Sequence, residues 1–171
     1  MEATERYLHS WATDVVRMQR NVLKTKNKIA SGKLAKSLRY KVSQYVDGYI
    51  IEFFMAPHGK FVDKGVRGKK VTRTYIDITG KRKRSPYRYK RKQPPTKVFD
   101  KWLIKRGIAP RDKSGKFVSR QSIKFLIARS IFFKGIKATS FFSKPLSLKL
   151  KTFGKGMLDA VTKDIEDNLF E

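Results

Sequence analysis

The sequence predicts an α+β fold: a small antiparallel β-sheet packed against a long N-terminal helix and a C-terminal helix, with a projecting basic hairpin or arm. Three observations carry this expectation. Residues 3–28 hold apolar side chains at helical spacing, residues 38–55 alternate around an Asp-Gly pair, and residues 81–92, KRKRSPYRYKRK, put eight cations into twelve positions.

Each element has a local reason. Leu8, Trp11, Val15, Met18 and Val22 fall on one stripe of a helix, and no Gly or Pro interrupts it before Gly32, the expected stop. Leu38, Tyr40, Val42 and Val46 alternate with polar residues as a half-buried strand does. Asp47-Gly48 is a hairpin signal of the type I′ kind, and Tyr49 to Met55 is the return strand. One helical turn is expected around Phe61 and Val62, and a further strand in VTRTYIDITG, residues 71–80. A short helix follows Pro95, with Val98, Phe99, Trp102 and Leu103 on its apolar side and Gly107 at its end. A second helix runs between Ser119 as cap and Gly135 as stop, with Ile123, Leu126, Ile127, Ser130 and Ile131 on one face. Phe125, Phe132 and Phe133 lie off that face, which predicts burial on two sides, within the domain or against another subunit. The last helix is expected over 152–168, with Leu158, Val161, Ile165 and Leu169 as its stripe.

A chain of 171 residues has the length of one domain with one core. Residues 1–171 are read as that domain, with a basic arm or insertion at about 66–97 and a helical insertion at about 95–134. Its 41 basic and 14 acidic residues give a net charge of +27. Such a charge opposes compaction and attracts polyanions, of which nucleic acid is the commonest. Lys and Arg contacts to a phosphate backbone supply affinity without sequence reading. Fifteen basic and two acidic residues fall between Lys60 and Lys97. A core cannot bury that charge unpaired, so the segment is expected at the surface. Lys81, Arg82, Lys83, Arg84, Arg88, Lys90, Arg91 and Lys92 are the candidate contacts to nucleic acid or to an acidic partner. Five acids, Asp159, Asp164, Glu166, Asp167 and Glu171, gather in the last thirteen residues. In a head-to-tail ring this acidic end of one subunit would meet the basic segment of the next. An ordinary solvated helix face is the plain alternative.

Catalytic signatures are missing from the sequence. There is no cysteine, hence no disulfide, thiolate ligand or Cys nucleophile. His9 and His58 stand far apart and form no metal-binding spacing, and neither glycine-rich phosphate loop occurs. The carboxylates show no pattern that would hold a catalytic cation. No enzyme activity, metal or cofactor is expected. No apolar run of membrane-spanning length is present, and MEATERYLHSWATD lacks the apolar region of a secretory signal.

Three short segments, in order, resemble a known family. SGKLAKSL (31–38) carries Gly32, Leu34 and Ser37 of a Thr-Gly-x-Leu-x-x-Ser element, with Ser31 for Thr. HGKFVDKGVRG (58–68) carries Phe61, Val62, Asp63 and Gly65 of a second element, with Asp63 for the usual Glu, His58-Gly59 for Tyr-Ala and Val66 for Thr. GIKATSFFSKPL (135–146) carries Ala138, Phe141, Phe142 and Pro145 of a third, with Ser140 for its first Pro. Together they resemble the tail-completion or neck proteins, the small head–tail joining family, of tailed bacteriophages. The resemblance implies a virion structural protein, assembled in the host cytoplasm and located in the neck or tail region. It implies a homo-oligomeric ring between portal and tail through which the genome passes. The implied partners are further copies of the chain, portal or adaptor and tail proteins, and double-stranded DNA passing nearby, with no membrane. Phe141, Phe142, Asp164, Glu166 and Asp167 are the candidate subunit-interface residues. A sequence-nonspecific nucleic-acid-binding protein of a ribonucleoprotein or DNA-packaging particle is the alternative, supported by charge and by Tyr87 and Tyr89 amid cations.

Overall fold

The computed structural model describes residues 2–109, 111 and 114–169. It is a mixed α+β structure, 53% helical and 16% strand. A long first helix, α1 (Glu2–Thr25), leads through a short α2 (Lys33–Ser37) into a hairpin of β1 (Arg39–Tyr45) and β2 (Gly48–Phe54). Then come α3 (Gly59–Lys64), β3 (Val66–Arg67), β4 (Thr74–Ile76) and β5 (Arg82–Arg84). A 3₁₀ turn (Thr96–Phe99), α4 (Asp100–Lys105), α5 (Arg120–Lys134), β6 (Gly135–Ile136) and a long α6 (Ser143–Leu169) complete the chain. The strands form three antiparallel pairs, β1–β2, β3–β6 and β4–β5, rather than one sheet.

The spine is α1 against α6, running antiparallel. Trp11 Nε1 donates to the Lys149 carbonyl at 3.2 Å, Tyr7 donates to the Phe153 carbonyl at 3.0 Å, and Lys149 pairs with Asp14 at 2.7 Å. Near the far end, the Ala3 and Thr4 amides donate to the Asp164 carboxylate. The β1–β2 hairpin lies on α1, with Tyr40, Ile51 and Phe53 against Trp11, Ala12 and Val15. A second cluster joins Val16 and Leu23 of α1 to Leu38 and Phe141, with Leu34, Val62 and Phe142 packed around them.

The structure departs from the sequence reading at several element ends. The first helix stops at Thr25, ahead of Gly32. Asn27 takes the left-handed conformation (φ 51°), and the Asn27 and Lys28 amides turn back to the Lys24 and Leu23 carbonyls. That closes the helix as a glycine would, and Gly32 (φ 75°) instead precedes α2. In the first hairpin, Tyr45 pairs with Gly48, so Val46 and Asp47 form the loop. Among the described residues, positive φ outside glycine occurs only at Asn27 and Ser140, so the loop is not type I′.

The last helix starts at Ser143, well before residue 152. Its expected stripe does not face the core: Leu158, Ile165 and Leu169 are 54–73% exposed. Ser143, Pro145, Ser147 and Asp164 are its buried residues. Ser143 is turned to Asp63, while Leu146 and Phe153 are the side chains that pack on Trp11, Ala12 and Val15 of α1. In α5 the covered side is Ala128, flanked by partly buried Ile123, Ile127 and Ile131, while Phe125, Leu126 and Ser130 are exposed. In α4 Leu103 is buried and Trp102 faces outward, as does Val98 in the 3₁₀ turn before it.

Phe141→Ala is expected to destabilise the chain by about 3–5 kcal/mol in urea unfolding, since Phe141 is fully buried. Leu158→Ala, on the outward stripe of α6, is expected to change stability by about 0.5 kcal/mol or less. A large loss at Leu158 in the isolated chain would contradict this packing.

Candidate nucleic-acid interface

The cationic segment is positioned by a knot of backbone around Asp63, a residue 1% exposed. Its carboxylate accepts from the Phe142 amide at 2.8 Å, the Ser143 amide at 3.2 Å and the Ser143 hydroxyl. It therefore caps α6, where unsatisfied amides and the helix dipole both favour an anion. Beside it, the Thr139 and Ser140 amides donate to the Val62 and Asp63 carbonyls. Gly65 follows at φ 69°, and a Cβ there would come within 2.7 Å of the Ala138 nitrogen. Only glycine fits so tight a crossing.

The β4–β5 hairpin is docked on this knot. The Ser140 hydroxyl accepts from the Ile76 amide at 2.9 Å, and the Arg73 Nε donates to the Lys134 carbonyl at 2.9 Å. The turn is built around Asp77, which is 6% exposed. Its Oδ1 accepts from the Thr79 amide and hydroxyl and from the Lys81 amide, at 2.7–3.0 Å. Its Oδ2 meets Lys83 Nζ at 2.7 Å. The Lys83 ammonium, then the Thr79 hydroxyl, hold the Asp77 carboxyl well below the ordinary carboxylate range despite its burial. The same hydrogen bond raises the Lys83 pKa.

After β5 the chain is stitched along β3. Buried Ser85 donates to the Gly65 carbonyl at 2.7 Å. The Arg67 amide donates to the Tyr87 carbonyl at 2.8 Å, and the Tyr89 amide donates to the Arg67 carbonyl at 3.0 Å. The Tyr87 ring meets Phe61 edge-on at 4.6 Å. A cleft of about 770 Å³ opens here, lined by Phe61, Arg67, Tyr87, Arg88, Tyr89 and Lys90 among others.

All eight cations expected at the contact surface, Lys81, Arg82, Lys83, Arg84, Arg88, Lys90, Arg91 and Lys92, are exposed. Among the described residues, only Lys83 of these eight has an ion-pair partner. Their backbone is anchored at Ile76, Ser85, Tyr87 and Tyr89, so the basic stretch is a docked platform up to Tyr89. The expected subunit-interface residues divide. Phe141 is fully buried in the core, and Phe142 packs on the same cluster and edge-on to Phe53 at 6.5 Å. Both pack within the chain, where they anchor the start of the last helix. Asp164 is 6% exposed and accepts from the Ala3 and Thr4 amides at 2.8 and 2.9 Å, so it is also withdrawn from the surface. Burial opposes its charge, but the Thr4 and Ala3 hydrogen bonds prevail and keep its pKa well below the ordinary range. Asp159, Glu166 and Asp167 are exposed, and Glu171 lies outside the described residues.

Sequence reasoning missed Arg67, Asp77, Ser85 and Ser140. Asp77-x-Thr79 was legible as a turn in which the carboxylate bonds the backbone two residues on. Nothing local marks Ser140 or Arg67, whose roles come from segments distant in sequence. His9 lies near Glu5 and Tyr40 on the α1 surface, and His58 is exposed at the start of α3. Among the described residues no three His, Asp or Glu side chains gather as a metal site, and no helix is long and apolar enough to cross a membrane.

Comparison with protein-family models, with curated proteins and with solved structures finds no match to this chain.

The Asp77 turn has a pH signature. A folded pKa below the unfolded value, about 3.9, means the turn's contribution is complete above that value and is lost only as pH falls through the lower folded one. The Lys81 amide resonance, bonded to Asp77, is expected to titrate more than one pH unit below about 3.9. A midpoint near the reference value would show that the Asp77–Lys83 pair does not hold in solution.

Proposed function

We propose that this chain is a structural subunit of a tailed-bacteriophage virion, a head–tail connector, neck or tail-completion protein that forms a homo-oligomeric ring between portal and tail, around the passing DNA. One observation carries the reading. The three segments that resemble that family, far apart in sequence, meet at one place. Leu34, Val62, Phe141 and Phe142 share a cluster. Asp63 of the second segment caps the helix opened by the third. Ser37 of the first accepts from the Ala56 amide at 2.9 Å, tying α2 to the end of the hairpin. Motif residues that converge into one scaffold suit a structural part rather than a catalytic one.

The charge distribution supports the same reading. The platform's cations are many and exposed, as a surface past which DNA slides requires. Of the candidate acids, Asp159, Glu166 and Asp167 remain at the surface of α6, far in sequence from the platform. They are the groups a neighbouring subunit's cations would meet in a head-to-tail ring. Portal and tail proteins are the further partners of such a ring, and the virion neck is its place.

The alternative, a sequence-nonspecific nucleic-acid-binding protein of a ribonucleoprotein or DNA-packaging particle, draws on the cleft where Tyr87 and Tyr89 sit beside Arg88 and Lys90. Native mass spectrometry of nuclease-treated protein at low and high salt separates the two. The connector reading expects one closed ring of defined copy number without nucleic acid. A monomer at every concentration and salt tested, with a ring failing to form on added portal, would overturn it.

A further inference from the structure

Arg67 sits in an environment that lacks something. It is half-buried, and its Nε is enclosed and bonds to nothing among the described residues. A buried donor left unmade is costly, more so on a charged group. Among the described residues no carboxylate pairs with it. Asp63 is committed to the start of α6 and Asp77 to the turn and Lys83. The charges acting on Arg67 are instead Arg84 and Arg88, and they add to its burial in lowering its hold on a proton. Two of these guanidinium groups, Arg67 and Arg88, line one open cleft. The positions are fixed by backbone, not by the side chains' own preference. Arg67 is clamped between the Tyr87 carbonyl and the Tyr89 amide, and Arg84 is followed by Ser85, locked to Gly65.

We propose that Arg67 and Arg88 form a phosphate-binding site, and that the cleft they line with Tyr87 and Tyr89 takes the nucleotide that carries the phosphate. The chemistry favours this ligand. A phosphate presents several acceptor oxygens to planar guanidinium forks. The cleft of about 770 Å³ is of ligand size, and its remaining walls are Lys90 and the apolar Phe61, Val66, Pro86 and Ile136. Tyrosine rings beside cations accept a base or sugar by stacking, without sequence choice. A protein carboxylate would satisfy one guanidinium and leave the aromatic wall unused. The site adds one localised hold to a surface otherwise suited to sliding contact, and it stands for a ring or a monomer alike.

The test uses the full chain at one fixed ionic strength, following backbone amide resonances. The probes are the 5′-phosphorylated thymidine dinucleotide, unphosphorylated thymidine, and an aspartyl-glutamate dipeptide. The phosphorylated dinucleotide is expected to shift the Arg67, Tyr87 and Tyr89 amides saturably, and thymidine to bind far more weakly. Arg67→Gln and Arg88→Gln are each expected to weaken the dinucleotide by about tenfold or more. Lys155→Gln, an exposed cation on α6, removes the same charge elsewhere and is expected to stay within about twofold. Arg88 is exposed, so its variant carries the test if Arg67→Gln does not fold. Equal weakening by all three substitutions would reduce the effect to net charge and overturn the site. Dipeptide binding at the same amides with equal strength would overturn the choice of phosphate.

Discussion

A carboxylate buried at the start of a long helix has to be met by donors, and Asp63 is met by the Phe142 amide and by the amide and hydroxyl of Ser143. Four further contacts depend on where that carboxylate sits. The Val62 and Asp63 carbonyls receive the Thr139 and Ser140 amides. The Ser140 hydroxyl, oriented by that pairing, receives the Ile76 amide of β4. The Gly65 carbonyl, two residues on, receives the Ser85 hydroxyl. One short segment thus fixes the start of α6, one strand of the cationic hairpin and the chain leaving the other. Lys26, just past the end of α1, closes the arrangement by donating to the Thr139 carbonyl at 2.7 Å.

The same economy of acids shapes the electric field. Between Lys60 and Lys97 the only acids are Asp63 and Asp77. One is spent on a helix end and the other on a turn and a single lysine. Neither faces solvent, so what the segment presents outward is almost wholly cationic. Repulsion among these side chains is tolerable because they are hydrated and screened. The exception is Arg67, enclosed where screening is weakest, and there the like charges call for an anion.

How much of this was legible depended on whether a signal was local. The first helix, the first hairpin, the Ser119 and Gly135 ends of α5 and the Gly107 stop all follow from residues within a turn of the feature. Errors arose where two local signals competed. Asn27 ended α1 before Gly32 was reached, and the hairpin turned one residue before Asp47-Gly48. Larger errors arose where a distant segment decided. The first turn of α6 reads as an extended link, because its cap lies about eighty residues upstream in Asp63. The stripe of Leu158, Ile165 and Leu169 reads as core-facing, yet α1 is met instead by Leu146 and Phe153 and by the Asp164 carboxylate, which takes the first amides of α1. The basic stretch was visible as a cationic surface, but its docking was not, since Ser85 and Tyr87 find their partners on β3.

The central claim is that the platform bearing the cations and the helical body are one cooperative unit through the Asp63 knot. Native-state hydrogen exchange in rising denaturant measures this directly, because amides that open together share one free energy. The amides to follow are Phe142, Thr139 and Ser140 in the knot, and Ile76, Ser85 and Arg67 in the platform. The account predicts that all six converge on a single opening as denaturant rises, and that Asp63→Asn lowers them together. If Ile76, Ser85 and Arg67 open at far lower cost while the knot stays closed, the platform is an independent arm and the account is wrong.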